Sequence, residues 1–469
     1  MVGRDVVFGR DEVCHNYLFI TLLMMSERFE GFRFIWRIMA VVAAMFAVGA
    51  PLSSGQETAV DEQLDSLSRR SKVMVIDGTP LTQHEIDSLQ RIVNMFYYDQ
   101  FRHSQDPDAP YFLFLSKSSD MMMGIGGTVR MRGWYDWGGA IPANGFAPAL
   151  IPIPANPAQM RKFGTTAAGV ALFLRVIGRN RILGNYQLYV ETNFNGYQGH
   201  GLKLKKAYAQ VRDFTVGLAT STFSDPAAVP PTVDAQGPTN KLAKSSVLLR
   251  YMPSFGRFSF GISAETPDAS VGADNVATTA TSAWLPDGAA LVQYEWLPGQ
   301  HVRLSGIVRS LGYRNLLEKE NINKLGWGVQ LSSVARPLRQ VTTYLTFNYG
   351  KGYGSLANDL IAVVTDLIAE PDRPGYLYAP RSLGYCAGVQ YNFLRNLFGT
   401  VQFSQTRLLP ASSVAPDTYK YGWCMTVNAF WNPIERLQIG AEFNLGMRKN
   451  FSGQHRHARR IGALAQFSF

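Results

Sequence analysis

From Met121 onward, apolar and polar residues exchange places at every second position in one stretch after another. Val129, Met131, Gly133 and Tyr135 share a face, with Arg130, Arg132, Trp134 and Asp136 on the other. Leu437, Ile439, Ala441, Phe443, Leu445 and Met447 likewise oppose Gln438, Glu442, Asn444 and Arg448. The pattern recurs in Val341-Thr343-Leu345-Phe347-Tyr349 and in Tyr421-Trp423-Met425-Val427-Ala429-Trp431. A period of two reads as β-strand. The final ten residues alternate as well, with Ile461, Ala463, Ala465, Phe467 and Phe469 on the apolar face, so this strand is expected to pair with the first and close the sheet. Phe469 is the expected recognition point for barrel-assembly machinery. A soluble sheet also alternates, but each of its apolar faces needs a second layer to cover it.

Connection lengths separate the two readings. Strands are predicted near 120–135, 165–177, 181–194, 201–212, 214–223, 242–253, 257–266, 286–296, 300–311, 323–334, 339–350, 382–393, 396–408, 417–431, 436–448 and 459–469. Connections after even-numbered strands are short, as at Pro253–Gly256, Leu297–Gly299 and Leu394–Arg395. Those after odd-numbered strands are mostly long, including 136–164, 224–241, 267–285 and 351–381. Short periplasmic turns alternating with long external loops are the habit of outer-membrane barrels. The predicted fold is all-β: a 16-stranded antiparallel transmembrane β-barrel over 119–469, preceded by a short N-terminal periplasmic helical segment over 56–118. Tyr135, Trp296, Tyr349, Tyr391 and Trp431 fall at strand ends, where amphipathic rings sit at headgroup level.

Composition fits this picture. A mean hydropathy of −0.05 is what alternation produces, and no mature segment offers the apolar run of a spanning helix. Arg33 and Arg37 followed by the apolar run Ile38–Val48 read as an export signal, so residues 1–55 are expected to be an upstream extension plus a removed signal peptide. In the next segment Thr82-x-x-Glu85 is a capping box, and Leu81, Ile86, Leu89, Ile92, Val93 and Phe96 repeat at helical spacing.

Charge then suggests what the lumen passes. Inward positions carry Arg130, Arg132, Arg175, Lys203, Lys205, Arg250, Arg303 and Arg309, with Arg448 and Arg460. The inward acids are fewer: Asp136, Glu191, Glu295 and Glu442. With a formal net charge of +10, such a wall concentrates anions. The loop 224–241 holds prolines 226, 230, 231 and 238 and the acids Asp225 and Asp234. It reads either as a stiff constriction loop, its acids opposite the basic wall, or as a plain surface loop. Loop 351–381, with Leu356, Leu360, Ile361, Val364, Leu367 and Ile368 at helical spacing, is expected to lean over the mouth or touch a neighbouring subunit. The Pro-rich loop 136–164 suits loop packing or subunit contact.

Other function classes fit less well. An enzyme on a barrel needs a nucleophile or acid–base group with partners in register. Beyond the helical segment only His200, His301, His455 and His457 remain, none beside an inward Ser and Asp or Asn. His455-Arg456-His457 reads as solvated loop, without further ligands for a metal. Cys386 and Cys424 lie two strand spacings apart, too far for a disulfide. No cofactor is implied. The basic residues alternate into a lumen rather than forming an exposed stripe, which argues against nucleic acid. An enzymatic or a structural and adhesive barrel remains the alternative.

Three passages resemble DcaP-like porins. Leu202-Lys203-Leu204-Lys205-Lys206-Ala207-Tyr208-Ala209, followed by 216–225, is similar to the passage into that family's constriction loop. Leu325–Ser332 and the stretch from Phe430-Trp431-Asn432-Pro433 through Arg436-Leu437-Gln438-Ile439-Gly440-Ala441-Glu442-Phe443 are similar too. The resemblance implies a homotrimeric porin in outer-membrane lipid that passes dicarboxylates or other small anionic solutes. The family's extended N-terminal coiled coil is represented here only by the shorter helical segment.

Overall fold

The computed structural model describes residues 72–75, 112–116 and 121–469, apart from 143, 181, 183, 195–200, 243, 412, 413 and 435. The export signal and the helical repeat at 81–96 lie outside the described residues. Two short strands, Lys72–Val75 and Phe112–Ser116, stand in the segment expected to be helical; they pair in parallel, and the second continues antiparallel onto Met121–Ile125.

Sixteen strands form a closed antiparallel barrel. They are β1 (Met121–Trp137), β2 (in two pieces, Arg161–Thr166 and Ala171–Asn180), β3 (Gly184–Asn193), β4 (Lys203–Val211), β5 (Phe214–Thr220), β6 (Ser245–Tyr251), β7 (Phe258–Glu265) and β8 (Asp287–Leu297). They continue with β9 (Gln300–Asn315), β10 (Glu320–Leu338), β11 (Val341–Lys351), β12 (Arg381–Leu394), β13 (Leu397–Leu409), β14 (Tyr419–Ile434), β15 (Leu437–Asn450) and β16 (His455–Ser468). Ten register pairs from Arg459↔Trp137 to Ser468↔Thr128 join β16 to β1. Phe469 exchanges both backbone hydrogen bonds with Gly127, at 2.9 and 2.7 Å. Closure pairs the first and last strands of the barrel, so the sheet wall has no open seam, as a lipid environment requires.

Alternation sorts side chains as the sequence indicates. On β1, Val129 and Met131 are 54% and 59% exposed on the outer face, while Arg132, Trp134 and Asp136 are buried on the inner one. The interior is therefore a polar core: Gln293, Gln330, Asn348, Ser404, Thr426 and Asn444 are all buried. Met447 keeps its outward position but is covered, because its register partners on either side are Trp423 and His457.

The structure departs from expectation mainly at the outer rim. β9 and β10 run beyond their predicted ends and leave only 316–319 as their connection, so this hairpin stands above its neighbours. Loop 351–381 forms no α-helix; it contains two 3-10 turns, Gly354–Leu356 and Leu360–Ala362. Leu356, Leu360, Val364 and Leu367 are buried, the first three packing with Phe223, Ala149, Ile307 and Tyr419. These four line the inside of the mouth, while Ile361 of the same spacing stays exposed. Loop 136–164 also turns inward: Ile141, Phe146 and Ile151 pack on Cys424 and Ala458.

Candidate functional site: the constricted lumen

The residues between β5 and β6 fold into the barrel. At its neck the Ser221 amide donates to the Lys244 carbonyl (3.0 Å), and the Thr222 amide donates to Glu265 of β7 (2.8 Å). The loop then crosses to the far wall, where Asp225 is fully buried. One carboxylate oxygen meets His301 Nε2 (2.8 Å) and the Ser332 hydroxyl (2.5 Å), and the other lies 3.6 Å from Arg303. Burial alone would raise this carboxyl's pKa, but Arg303, His301 and Ser332 outweigh it and hold the group well below the ordinary carboxylate range.

Further along, the loop follows the inner faces of β11 to β16. Pro230 rests on Gly388 so closely that a Cβ there would lie 2.6 Å from the proline ring. Asn428 donates to the Pro231 carbonyl (2.8 Å), and the Val233 and Asp234 amides donate to Glu442 (2.6 and 3.0 Å). Asp234 accepts from Arg460 (3.0 Å), whose guanidinium also grips Asp136 at 2.6 and 2.9 Å. On the return, Thr239 and Asn240 bond to Ser404, Thr346 and Asn348. Four prolines limit the conformations such a crossing must give up, and polar strand residues meet the backbone groups that it exposes.

The other two inward loops lock onto this one. The Phe146 amide donates to Asp234 (2.9 Å), and Asn358 and Asp359 bond to the backbone at 236–241. Asp359 sits at the junction, fully buried. It accepts from the Ala149 amide (3.1 Å) and the Tyr419 hydroxyl (2.8 Å). Burial raises its pKa to about 6 against the pull of these donors.

The expected anion-binding residues fall into two groups. Arg303 and Arg309 belong to the loop-bearing wall and are buried among acceptors. Arg303 holds Gln293 and the Ser224 carbonyl, while Arg309 bridges Asp287 and Asp366 at 3.1 and 3.0 Å. Arg130, Arg132, Arg175, Lys203, Lys205 and Arg250 lie on β1, β2, β4 and β6, with Arg132 in the field of Asp234 and Glu442, where the loop meets β15 and β16. Here a bulge opposite Glu191 and Thr192 brings both Lys205 and Lys206 to the Glu191 side, and Lys205 pairs with Glu191. Lys206 was missed by strict alternation. Its signal was present, since two lysines in succession between the outward Leu204 and Ala207 break the period of two. Lys241, also missed, extends this group from the loop. Burial lowers its pKa, Asp234 opposes that, and Lys205 with Arg130 lowers it further, so the three cations share one field. Gly217 has φ +123° opposite Tyr208, where a Cβ would lie 2.4 Å from the Ala207 carbonyl oxygen.

The inner faces of β1 to β6 thus set Arg130, Arg132, Arg175, Lys203, Lys205, Lys206 and Arg250 against two acids, Asp136 and Glu191. The carboxylates of the opposite side are engaged by arginines, His301 or backbone amides.

The barrel has relatives among known proteins. The DcaP outer membrane protein family matches residues 118–469. The crystal structure of the outer membrane channel DcaP of Acinetobacter baumannii is similar at TM-score 0.65 and 19% identity, covering 76% of this chain and 99% of that one. An anion-selective porin from Comamonas acidovorans shows TM-score 0.47 and 12% identity over 74% of this chain and 100% of its own. Outer-membrane expressed OmpT of Vibrio cholerae shows TM-score 0.48 and 9% identity over 75% and 99%. No curated protein sequence matches the chain.

Proposed function

The chain belongs to the DcaP outer membrane protein family, and from that premise we propose that it forms a passive, trimeric channel favouring small anions, dicarboxylates among them. The membership makes it an outer-membrane channel protein. The observation that carries the anion reading is the asymmetry across the constriction. Carboxylates of the inserted loop are spent on holding it to β9–β16, while the facing strands bring seven basic side chains against two acids. In a narrow, low-dielectric passage that surplus raises the local concentration of anions. The placement of Lys203 and Lys205, the more exposed members of the group, suits contact with a passing solute. We also propose that residues 1–55 are removed on export, that 56–118 remain in the periplasm, and that Phe469 is read by the assembly machinery.

Trimer formation has a physical motive in the wall itself. β5, β6 and β7 contain 7, 7 and 8 residues. At about 3.3 Å per residue and a tilt of about 40°, such strands rise only about 18–20 Å, short of the roughly 25 Å apolar band. Their outer face nevertheless exposes Val216, Val247, Leu249 and Ile262. A hollow of about 480 Å³ lies between this face and Trp284 and Leu285. Neighbouring protomers would cover what lipid of full thickness cannot match.

The test is the reversal potential of the purified protein in a planar bilayer under a KCl gradient, for the native chain and for Arg130→Glu with Lys205→Glu. The native channel should select anions and the variant should lose most of that preference. Cation selectivity in the native channel would overturn the reading.

A further inference from the structure

The outer faces of β11 to β16, and of β1 and β2 beyond the seam, are mostly apolar and carry no charge below one edge. There Lys351, Arg381, Arg407, Lys449, Arg459 and Arg161 all point outward at the extracellular ends of their strands. Register connects them into a row. Lys351 is opposite Arg381, and Arg381 is opposite Leu409, two residues from Arg407. Arg407 is opposite Tyr421, and Tyr421 is opposite Lys449. Lys449 is opposite His455, on the same face of β16 as Arg459; Arg459 is opposite Trp137, and Trp137 is opposite Arg161. Seven strand intervals of about 4.8 Å make this a belt on the order of 30 Å long.

Its depth is marked by the rings beneath it. Tyr385, Phe403 and Trp423 touch in series, with centroids 6.3 and 5.9 Å apart, and Trp137 lies 6.1 Å from Phe443. Such a girdle sits at the boundary between acyl chains and headgroups. The cations stand at or just outside this level, where the outer leaflet carries its phosphates. No outward position on β11–β16 or β1 is Asp or Glu, and among the described residues none of the six cations forms an ion pair with a carboxylate. A row of like charges that the protein leaves uncompensated calls for an external anion. Phosphate is the group that guanidinium and ammonium at this depth are suited to hold. His455 and His457, with rings 6.0 Å apart, extend the row on β16.

We propose that the extracellular rim from β11 round to β2 is a binding belt for phosphate-bearing lipid of the outer leaflet. The belt lies on a different arc of the wall from the short strands β5–β7, so lipid and a neighbouring protomer would occupy separate faces. The inference is independent of anion selectivity in the lumen.

The test uses the full protein in neutral detergent, titrated separately with diphosphoryl lipid A, dephosphorylated lipid A, phosphatidylcholine and inorganic phosphate, with bound lipid counted by native mass spectrometry. Diphosphoryl lipid A should be retained and dephosphorylated lipid A and phosphatidylcholine should not. Each belt cation removed should weaken retention about fivefold, so the variant R381Q/R407Q/K449Q/R459Q should lose several hundredfold. Native single-channel conductance in that variant shows that the barrel has folded; if it does not fold, R381Q and R459Q alone should each show the fivefold loss. Equal retention of dephosphorylated lipid A, competition by inorganic phosphate at equimolar concentration, or unchanged retention by the folded variants would each overturn the proposal.

Discussion

Replacing Asp225 with alanine should loosen the constriction without unfolding the barrel. The carboxylate has no exposed surface and serves His301, Ser332 and Arg303 together. Removing one partner of a buried charged pair costs about 3–5 kcal/mol, largely because the other charge stays behind without compensation. Arg303 keeps Gln293, at 2.8 and 2.6 Å, and the Ser224 carbonyl at 3.1 Å, so the lower end applies, about 3 kcal/mol. That shifts the docked-to-undocked ratio of the loop's first half by roughly a hundredfold. The second half keeps its separate tie, because the Val233 and Asp234 amides remain on Glu442. The expected phenotype is therefore a folded channel with larger, noisier single-channel conductance in planar bilayers and a higher size limit in liposome swelling with neutral oligosaccharides. Asp225→Asn keeps an acceptor for Ser332 but loses the charge facing Arg303, and should fall between the two. If Asp225→Ala gives a heat-modifiable, folded barrel with native conductance, noise and size limit, the loop is not held by this carboxylate and the reasoning fails.

Other perturbations probe the same architecture from different sides. Gly388→Val should displace Pro230 at a cost of about 1–3 kcal/mol by overpacking, raising conductance much as Asp225→Ala does; unchanged conductance would mean that the loop does not rest there. The neutral form of Asp359 is favoured in the folded loops, since its pKa is raised to about 6. Its contribution should be complete below about pH 4 and lost as pH rises through 6, roughly 2–3 kcal/mol in all. Amide exchange across 353–364, corrected for intrinsic rates, should show more protection at pH 5 than at pH 8, and Asp359→Asn should remove the difference. Val247→Arg with Leu249→Arg should yield folded monomers by size exclusion with light scattering, while persistence of native-size assemblies would move the subunit interface elsewhere.

The barrel was legible in the chain because each strand residue meets one of only two surroundings, and that choice repeats every second position. Val129 to Asp136 can be assigned without knowing any partner. The same rule fails where the backbone slips: the bulge beside Glu191 turns Lys205 and Lys206 to one side, so alternation alone loses a lysine of the basic wall. The loops escape the rule altogether. Helical spacing in 351–381 picked out Leu356, Leu360, Val364 and Leu367, which are buried, together with Ile361, which is exposed, because the segment packs through 3-10 turns whose apolar face does not follow the helical period. The roles of Asp225, Asp234 and Arg303 were harder still to read, because a carboxylate in a Pro-rich loop has the same local sequence whether it faces solute or anchors the loop. What decides is a partner far along the chain: His301 is 76 residues from Asp225, and Arg460 is 226 from Asp234. Those pairings carry the proposed reading of the constriction. With the loop's acids engaged in fixing its position, the strands opposite would set the field that a passing ion feels.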